Sequence, residues 1–135
     1  MKNLKCLFSS ITSHWKTPEG LYKKLNEEFN FDFDPCPYND NPKFDGLSIE
    51  WGSRSFCNPP YGREIKKWIK KGYSEWRKGK TVVFLLPSRT DTQWFHDYIL
   101  EAKEIRFIKG RLKFSNHKNN APFPSLIAIF SHSKK

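Results

Sequence analysis

The sequence predicts a layered α/β domain, and three observations carry that prediction. Helical and extended apolar patterns alternate along residues 17–130. Residues 81–86 are a near-continuous apolar run of strand length, the pattern of an interior parallel strand covered on both faces. The shorter run Ser55-Phe56-Cys57 is stopped by Asn58-Pro59-Pro60, so a strand there ends in a stiff turn.

Taken in order, Thr17-Pro18-Glu19 reads as a helix start, with Thr17 as N-cap, Pro18 at the first helical position and an acid in the first turn. Leu21, Tyr22, Leu25 and Phe29 then fall on one helical face. Phe31-Asp32-Phe33 is a short strand ending at Asp34, and residues 35–45 form a Pro/Asn/Asp-rich loop. A second helix covers about 63–78, with Ile65, Trp68, Ile69, Tyr73 and Trp76 inward. Lys66, Lys67, Lys70 and Lys71 make its basic flank. A third covers about 91–100, turning Trp94, Phe95, Tyr98 and Ile99 inward, with Asp91 as its N-cap. Residues 105–108 are extended, and 112–114 and 126–130 are expected to pair antiparallel across a polar loop. The predicted organisation is a flexible arm at 1–13, one domain at 14–131 and a basic tail at 132–135.

With 135 residues the chain supports one core and no separate recognition domain. Lys and Arg number 24 against 14 Asp and Glu, a formal charge of +10, which alone suits a polyanionic partner and a merely soluble basic surface equally; the turn at Asn58-Pro59-Pro60-Tyr61 decides for the polyanion. Cys6, Cys36 and Cys57 form no CxxC pair and are odd in number, the pattern of thiols in a reducing compartment. His14, His96, His117 and His132 have no ligand spacing, so no metal is assigned. No stretch reaches transmembrane length, and a cytoplasmic protein is expected.

The turn Asn58-Pro59-Pro60-Tyr61 carries the chemistry. The Asn58 side-chain oxygen and the Pro59 carbonyl offer two acceptors for the hydrogens of an exocyclic amine, and Tyr61 offers a stacking face. The alternative for these residues is a rigid strand-ending turn and nothing more. The turn, with its flanking landmarks, makes the chain resemble the S-adenosylmethionine-dependent DNA N6-adenine methyltransferases of the phage (Dam-like) type. Those landmarks are Trp15-Lys16-Thr17-Pro18, Phe33-Asp34-Pro35-Cys36, Asp45-Gly46-Leu47 with Glu50-Trp51, Leu86-Pro87-Ser88-Arg89-Thr90-Asp91, and Gly110-Arg111-Leu112-Lys113-Phe114. The resemblance spans residues 14–130, and phage origin, hence host cytoplasm, is implied by it alone.

The resemblance implies a trimmed Rossmann-like methyltransferase sheet with flanking helices, and methyl transfer from S-adenosylmethionine to N6 of a flipped-out adenine in double-stranded or single-stranded DNA. Acceptance of both amine hydrogens by Asn58 and Pro59, with Pro60 stiffening the turn, localises the nitrogen lone pair, so no prior general base is needed. Tyr61 stacks on one face of the base. Phe114 is either the other face or a core aromatic. On the cofactor side, Asp34 at a strand end suits the methionine ammonium, with Pro35 and Cys36 in place of a glycine-rich loop. Asp45 is either a contact to the cofactor adenine or an Asp-Gly turn residue. Thr17 and Pro18 match a cofactor-facing element and equally form a helix cap, and Trp15 either stacks on the cofactor or packs in the core. Asp40 and Glu50 are the acids available for the ribose hydroxyls. Arg89 follows the buried strand and suits a phosphate, and Lys66, Lys70, Arg111 and Lys113 are candidates to track the DNA backbone. The competing readings are methylation of RNA or another planar amine, and a DNA-binding relative that no longer catalyses.

Overall fold

A computed structural model of the chain describes residues 15–38 and 44–132. The expected arm at 1–13, and with it Cys6, lies outside the described residues, as do His14, Asp40 and all but His132 of the expected tail.

Helix α1 (Glu19–Phe29) buries Leu25 and ends at Asn30, whose left-handed backbone (φ 54°) suits Asn, and whose N–H returns to the Asn26 carbonyl at 2.8 Å. The next segment lies beside strand β1 (Arg54–Cys57) but forms only the single parallel bridge Phe33–Ser55. The Asp32 side chain accepts the Arg54 N–H at 2.9 Å, a bond that does not extend the backbone ladder. Helix α2 (Ile65–Arg77) then crosses to strand β2 (Thr81–Pro87), which runs parallel to β1. Helix α3 (Gln93–Asp97) and a 3₁₀ turn (Ile99–Glu101) lead to β3 (Glu104–Phe107) and β4 (Ser125–Phe130). The sheet order is β1-β2-β4-β3, mixed, with β4 antiparallel to both neighbours.

Strand alternation decides which helix covers which face. Phe56 and Val83 are paired on one face, where Tyr22 of α1 meets Phe56 edge-on at 5.3 Å. Val82, Phe84 and Phe130 occupy the other, against Tyr73 and Trp76 of α2. Gly72 is the close-approach point of that layer: a Cβ there would lie 2.3 Å from the Phe84 ring. All of β2 beyond Thr81 is buried, as its composition predicts, although one of its two neighbours is antiparallel.

Three expectations are corrected. Residues 112–114 do not pair with 126–130: β4 is filled on both sides by β2 and β3, and Leu112 makes only a single loop bond to the Ala121 N–H at 2.7 Å. Thr17 is not the cap of α1. Pro18, whose ring has no hydrogen-bonding group, occupies that position, and the Thr17 hydroxyl accepts from the Asn58 amide instead. The cap of α3 is Thr92 in place of Asp91: its hydroxyl accepts the Phe95 N–H at 3.3 Å.

The basic flank of α2 hides a buried acid. Glu75 is fully buried and accepts from Lys80, Lys71, Lys78 and the Trp51 N–H, at 2.6–3.1 Å. Burial pushes its carboxyl up, but these four donors outweigh that and hold it at about 2.

Candidate active site

Strands β1 and β2 and the Phe33 bridge point the same way, so Asp34, Asn58 and Ser88 emerge at one edge of the sheet. Because Ser125 pairs with Pro87, the loop preceding β4 reaches that edge as well. Open α/β sheets bind ligands at this carboxyl edge.

At its centre is Asn58, 3 % exposed. Its amide nitrogen donates to the Trp15 carbonyl and, at 3.0 Å, to the Thr17 hydroxyl. Its amide oxygen is buried and has no hydrogen-bond partner among the described residues. A carbonyl only accepts, so the nitrogen must face Trp15 and the oxygen must face away. The turn is fixed from the other side by Tyr61, whose hydroxyl donates to the Leu85 carbonyl at 3.2 Å. That carbonyl lies on the part of β2 beyond Phe84, opposite which β1 ends. The Tyr61 ring is nearly buried, with Phe123 and Phe114 edge-on at 5.7 and 6.5 Å, and burial pushes its phenol well above the usual range. Pro59 and Pro60 are buried between them. Phe114 is wholly buried under Trp15 and Tyr61 and presents no free ring face.

Thr17 links this turn to an adjoining cavity of about 300 Å³, lined by Lys16, Thr17, Glu19, Tyr22, Asp34, Tyr38 and Phe56. Burial raises the Asp34 carboxyl to about 7, against the lowering effect of the Cys36 N–H at 2.9 Å. Cys36 and Pro35 are buried beneath it, and Gly46 packs on the Pro35 carbonyl so closely that a Cβ would lie 2.0 Å from that oxygen. Asp45 spends its carboxylate on its own turn, accepting from the Leu47 N–H at 3.0 Å and the Ser48 hydroxyl at 2.9 Å. Glu50 is exposed and paired with Lys80 at 2.9 Å, and it is not among the cavity residues. Trp15 stacks on His117 at 3.8 Å, within 9° of parallel, and does not line the cavity.

The structure thus brings Thr17, Asp34 and Asn58 together and adds Glu19, Tyr22, Tyr38 and Phe56, which sequence reasoning did not single out. Glu19 carried a signal, as the acid in a first helical turn, but only its place in the same cavity lining as Asp34 gives it a site. Pro18 is half-buried at the start of α1. Arg89, Arg111 and Lys113 are exposed, Arg89 just past the end of β2 and the other two in the loop before β4. Lys66 and Lys70 are exposed on α2, where Lys70 joins Lys67 and Lys71 along a shallow groove.

The profile of the DNA N-6-adenine-methyltransferase (Dam) family matches residues 7–130. The chain belongs to that family. It is also similar to the DNA N-6-adenine-methyltransferase of Haemophilus phage HP1 (strain HP1c1), with 31 % identity over 117 residues covering 77 % of this chain and 67 % of that protein. A Dam-family assignment agrees with a half-satisfied amide at the carboxyl edge of a mixed α/β sheet, and it makes DNA the substrate class. No described helix is long and apolar enough to cross a membrane, and among the described residues no three His, Cys, Asp or Glu side chains converge as a metal site.

Proposed function

We propose that this Dam-family chain transfers a methyl group from S-adenosylmethionine to N6 of an adenine swung out of the DNA stack, with residues 14–131 acting as one trimmed, Rossmann-like methyltransferase domain. The observation that supports it most is the Asn58 amide, whose nitrogen is held by two acceptors while its buried oxygen is left to accept from a ligand. Leaving such an oxygen unpaired costs roughly 1–3 kcal/mol, which an incoming N–H donor recovers.

Asn58 and the Pro59 carbonyl accept the two amine hydrogens, shifting the nitrogen lone pair out of the ring and into line for attack. The amine becomes acidic only after methylation, so neither residue has to remove a proton first. Tyr61 supports the base, its plane set by the Leu85 bond and backed by Phe114 and Phe123. A base inside a duplex cannot bring its amine to oxygen acceptors at this depth, so it enters extrahelically or from a single strand.

The cavity beside the turn suits the cofactor. S-adenosylmethionine, when bound, supplies the electrophilic methyl group. A half-buried acid that desolvation raises to about 7 suits a cationic group, which we assign to the methionine ammonium at Asp34. Glu19 offers acceptors to the ribose hydroxyls, Lys16 a charge for the carboxylate, and Tyr22, Tyr38 and Phe56 apolar surface. Asp45 and the Pro35-Cys36 turn act next to it, Asp45 by fixing the turn whose Gly46 packs on the Pro35 carbonyl. Arg89, Arg111, Lys113, Lys66 and Lys70 contact DNA phosphates, consistent with the charge of +10.

The test is transfer of labelled methyl from S-adenosylmethionine to unmethylated duplex DNA, followed by nucleoside analysis. N6-methyladenine is the expected product. Absence of transfer to duplex, single strands and RNA alike refutes the reading.

A further inference from the structure

We infer that Thr17 is a positioning residue for Asn58, and that residues 15–17 form a strap which fixes the amide and is itself latched by residues 115–117. The inference rests on the proposed role of Asn58 and gives Thr17, which also lines the cofactor cavity, a second role on the target-base side of the site.

Six contacts define the strap. Its two outputs are the Trp15 carbonyl and the Thr17 hydroxyl, both accepting from the Asn58 nitrogen. Its latch is threefold in hydrogen bonds: Lys16 N–H to the Asn116 side-chain oxygen at 2.8 Å, Ser115 N–H to the Lys16 carbonyl at 2.9 Å, and Ser115 hydroxyl to the Thr17 carbonyl at 3.1 Å. The Trp15–His117 stack closes it. Nothing local does this work, since the strap lies 41–43 residues from Asn58 and about 100 from its latch.

The physical consequence is directional. With both nitrogen hydrogens committed, the amide cannot rotate without abandoning two bonds, so its oxygen stays aimed outward. Loss of one acceptor leaves a buried N–H unpaired and the amide plane free to tilt. The latch residues sit in the loop 109–124, which holds Lys109, Arg111, Lys113 and Lys118 and no acid. A segment poised to meet DNA therefore also holds the strap that aims the catalytic amide.

Thr17→Val keeps the shape and removes the acceptor, and Thr17→Ser keeps the acceptor. Thr17→Val is expected to lose about tenfold or more in kcat, a loss that saturating S-adenosylmethionine does not restore, and Thr17→Ser to recover most of it. Hydrogen exchange of the Asn58 side-chain NH₂, followed by NMR, is expected to accelerate in Thr17→Val and not in Thr17→Ser. Unchanged exchange and unchanged kcat in Thr17→Val overturn the proposal, as does a loss confined to cofactor Kd. An inactive parent protein refutes the methyltransferase reading, while the exchange measurement still judges the strap. If Thr17→Val does not fold, Ser115→Ala tests the latch, with a smaller acceleration expected and an unchanged rate overturning it.

Discussion

Asn58 and Glu75 are both buried polar side chains, at 3 % and 0 % exposure, yet they are treated in opposite ways. Glu75 has donors on both oxygens, four in all, three of them lysines. Asn58 is satisfied on its nitrogen and left open on its oxygen. The first arrangement ties α2 to the loop before β1 and favours the folded state. The second holds a buried acceptor open, a cost sustained by a rigid turn and by the strap. At Glu75 complete satisfaction serves the fold, and at Asn58 partial satisfaction leaves the acceptor that the proposed reaction uses.

That contrast breaks most visibly on substitution of Asn58. Asn58→Ala is expected to lower methyl transfer by about a thousandfold or more, with the melting temperature nearly unchanged. Retained activity would remove Asn58 from the mechanism. Glu75→Ala should do the reverse. Three lysines lose their common partner, so about 3 kcal/mol of stability is expected to disappear in chemical denaturation, with transfer per folded molecule preserved at low temperature.

Acid sharpens the same comparison. The Glu75 carboxyl sits at about 2 when folded against an ordinary value of 4.5, so its contribution is present above pH 4.5 and is lost as pH falls toward 2. Denaturation midpoints in that window should flatten in Glu75→Gln. Asp34 has the opposite sign. Its carboxyl, raised from 3.8 to about 7, disfavours the folded state as pH rises through that range. A cationic ligand reverses the preference, so S-adenosylmethionine affinity should tighten between about pH 6 and 8, and Asp34→Asn should abolish that slope. Calorimetry across the range decides it.

The smallest effects per residue belong to the basic surface. Arg111→Ala or Lys113→Ala should each weaken DNA binding a few-fold and reduce the steepness of its salt dependence by about one contact. A salt-independent affinity would remove the phosphate role altogether.

Much of the framework was legible because its signals are local. The stop at Asn58-Pro59-Pro60, the apolar face of α2 and the buried run of β2 each depend on neighbours within a turn or a strand. The antiparallel partner of β4 was misassigned because residues 112–114 carry an equally apolar pattern, and pairing is decided by which strand edges remain open once β2 and β3 are in place. Thr17 looked like a cap for the same reason: Thr-Pro-Glu satisfies the local rule, while the bond that claims its hydroxyl comes from 41 residues away. Glu75 read as one more charge on a basic helix, since only packing shows that α2 turns it toward Trp51 and Lys80.

The sequence by itself determined the framework on which the proposed chemistry rests: a rigid turn with an amide, a carbonyl and an aromatic ring, on a basic chain, at the end of a buried strand. Tertiary structure alone decided which way the amide points, which carboxylate stays desolvated beside it, and that Glu19 and Tyr38 share its cavity. Turn stiffness and strand burial follow from covalent geometry and from the hydrophobicity of adjacent residues. The aim of a hydrogen bond depends on partners that meet only when the chain closes.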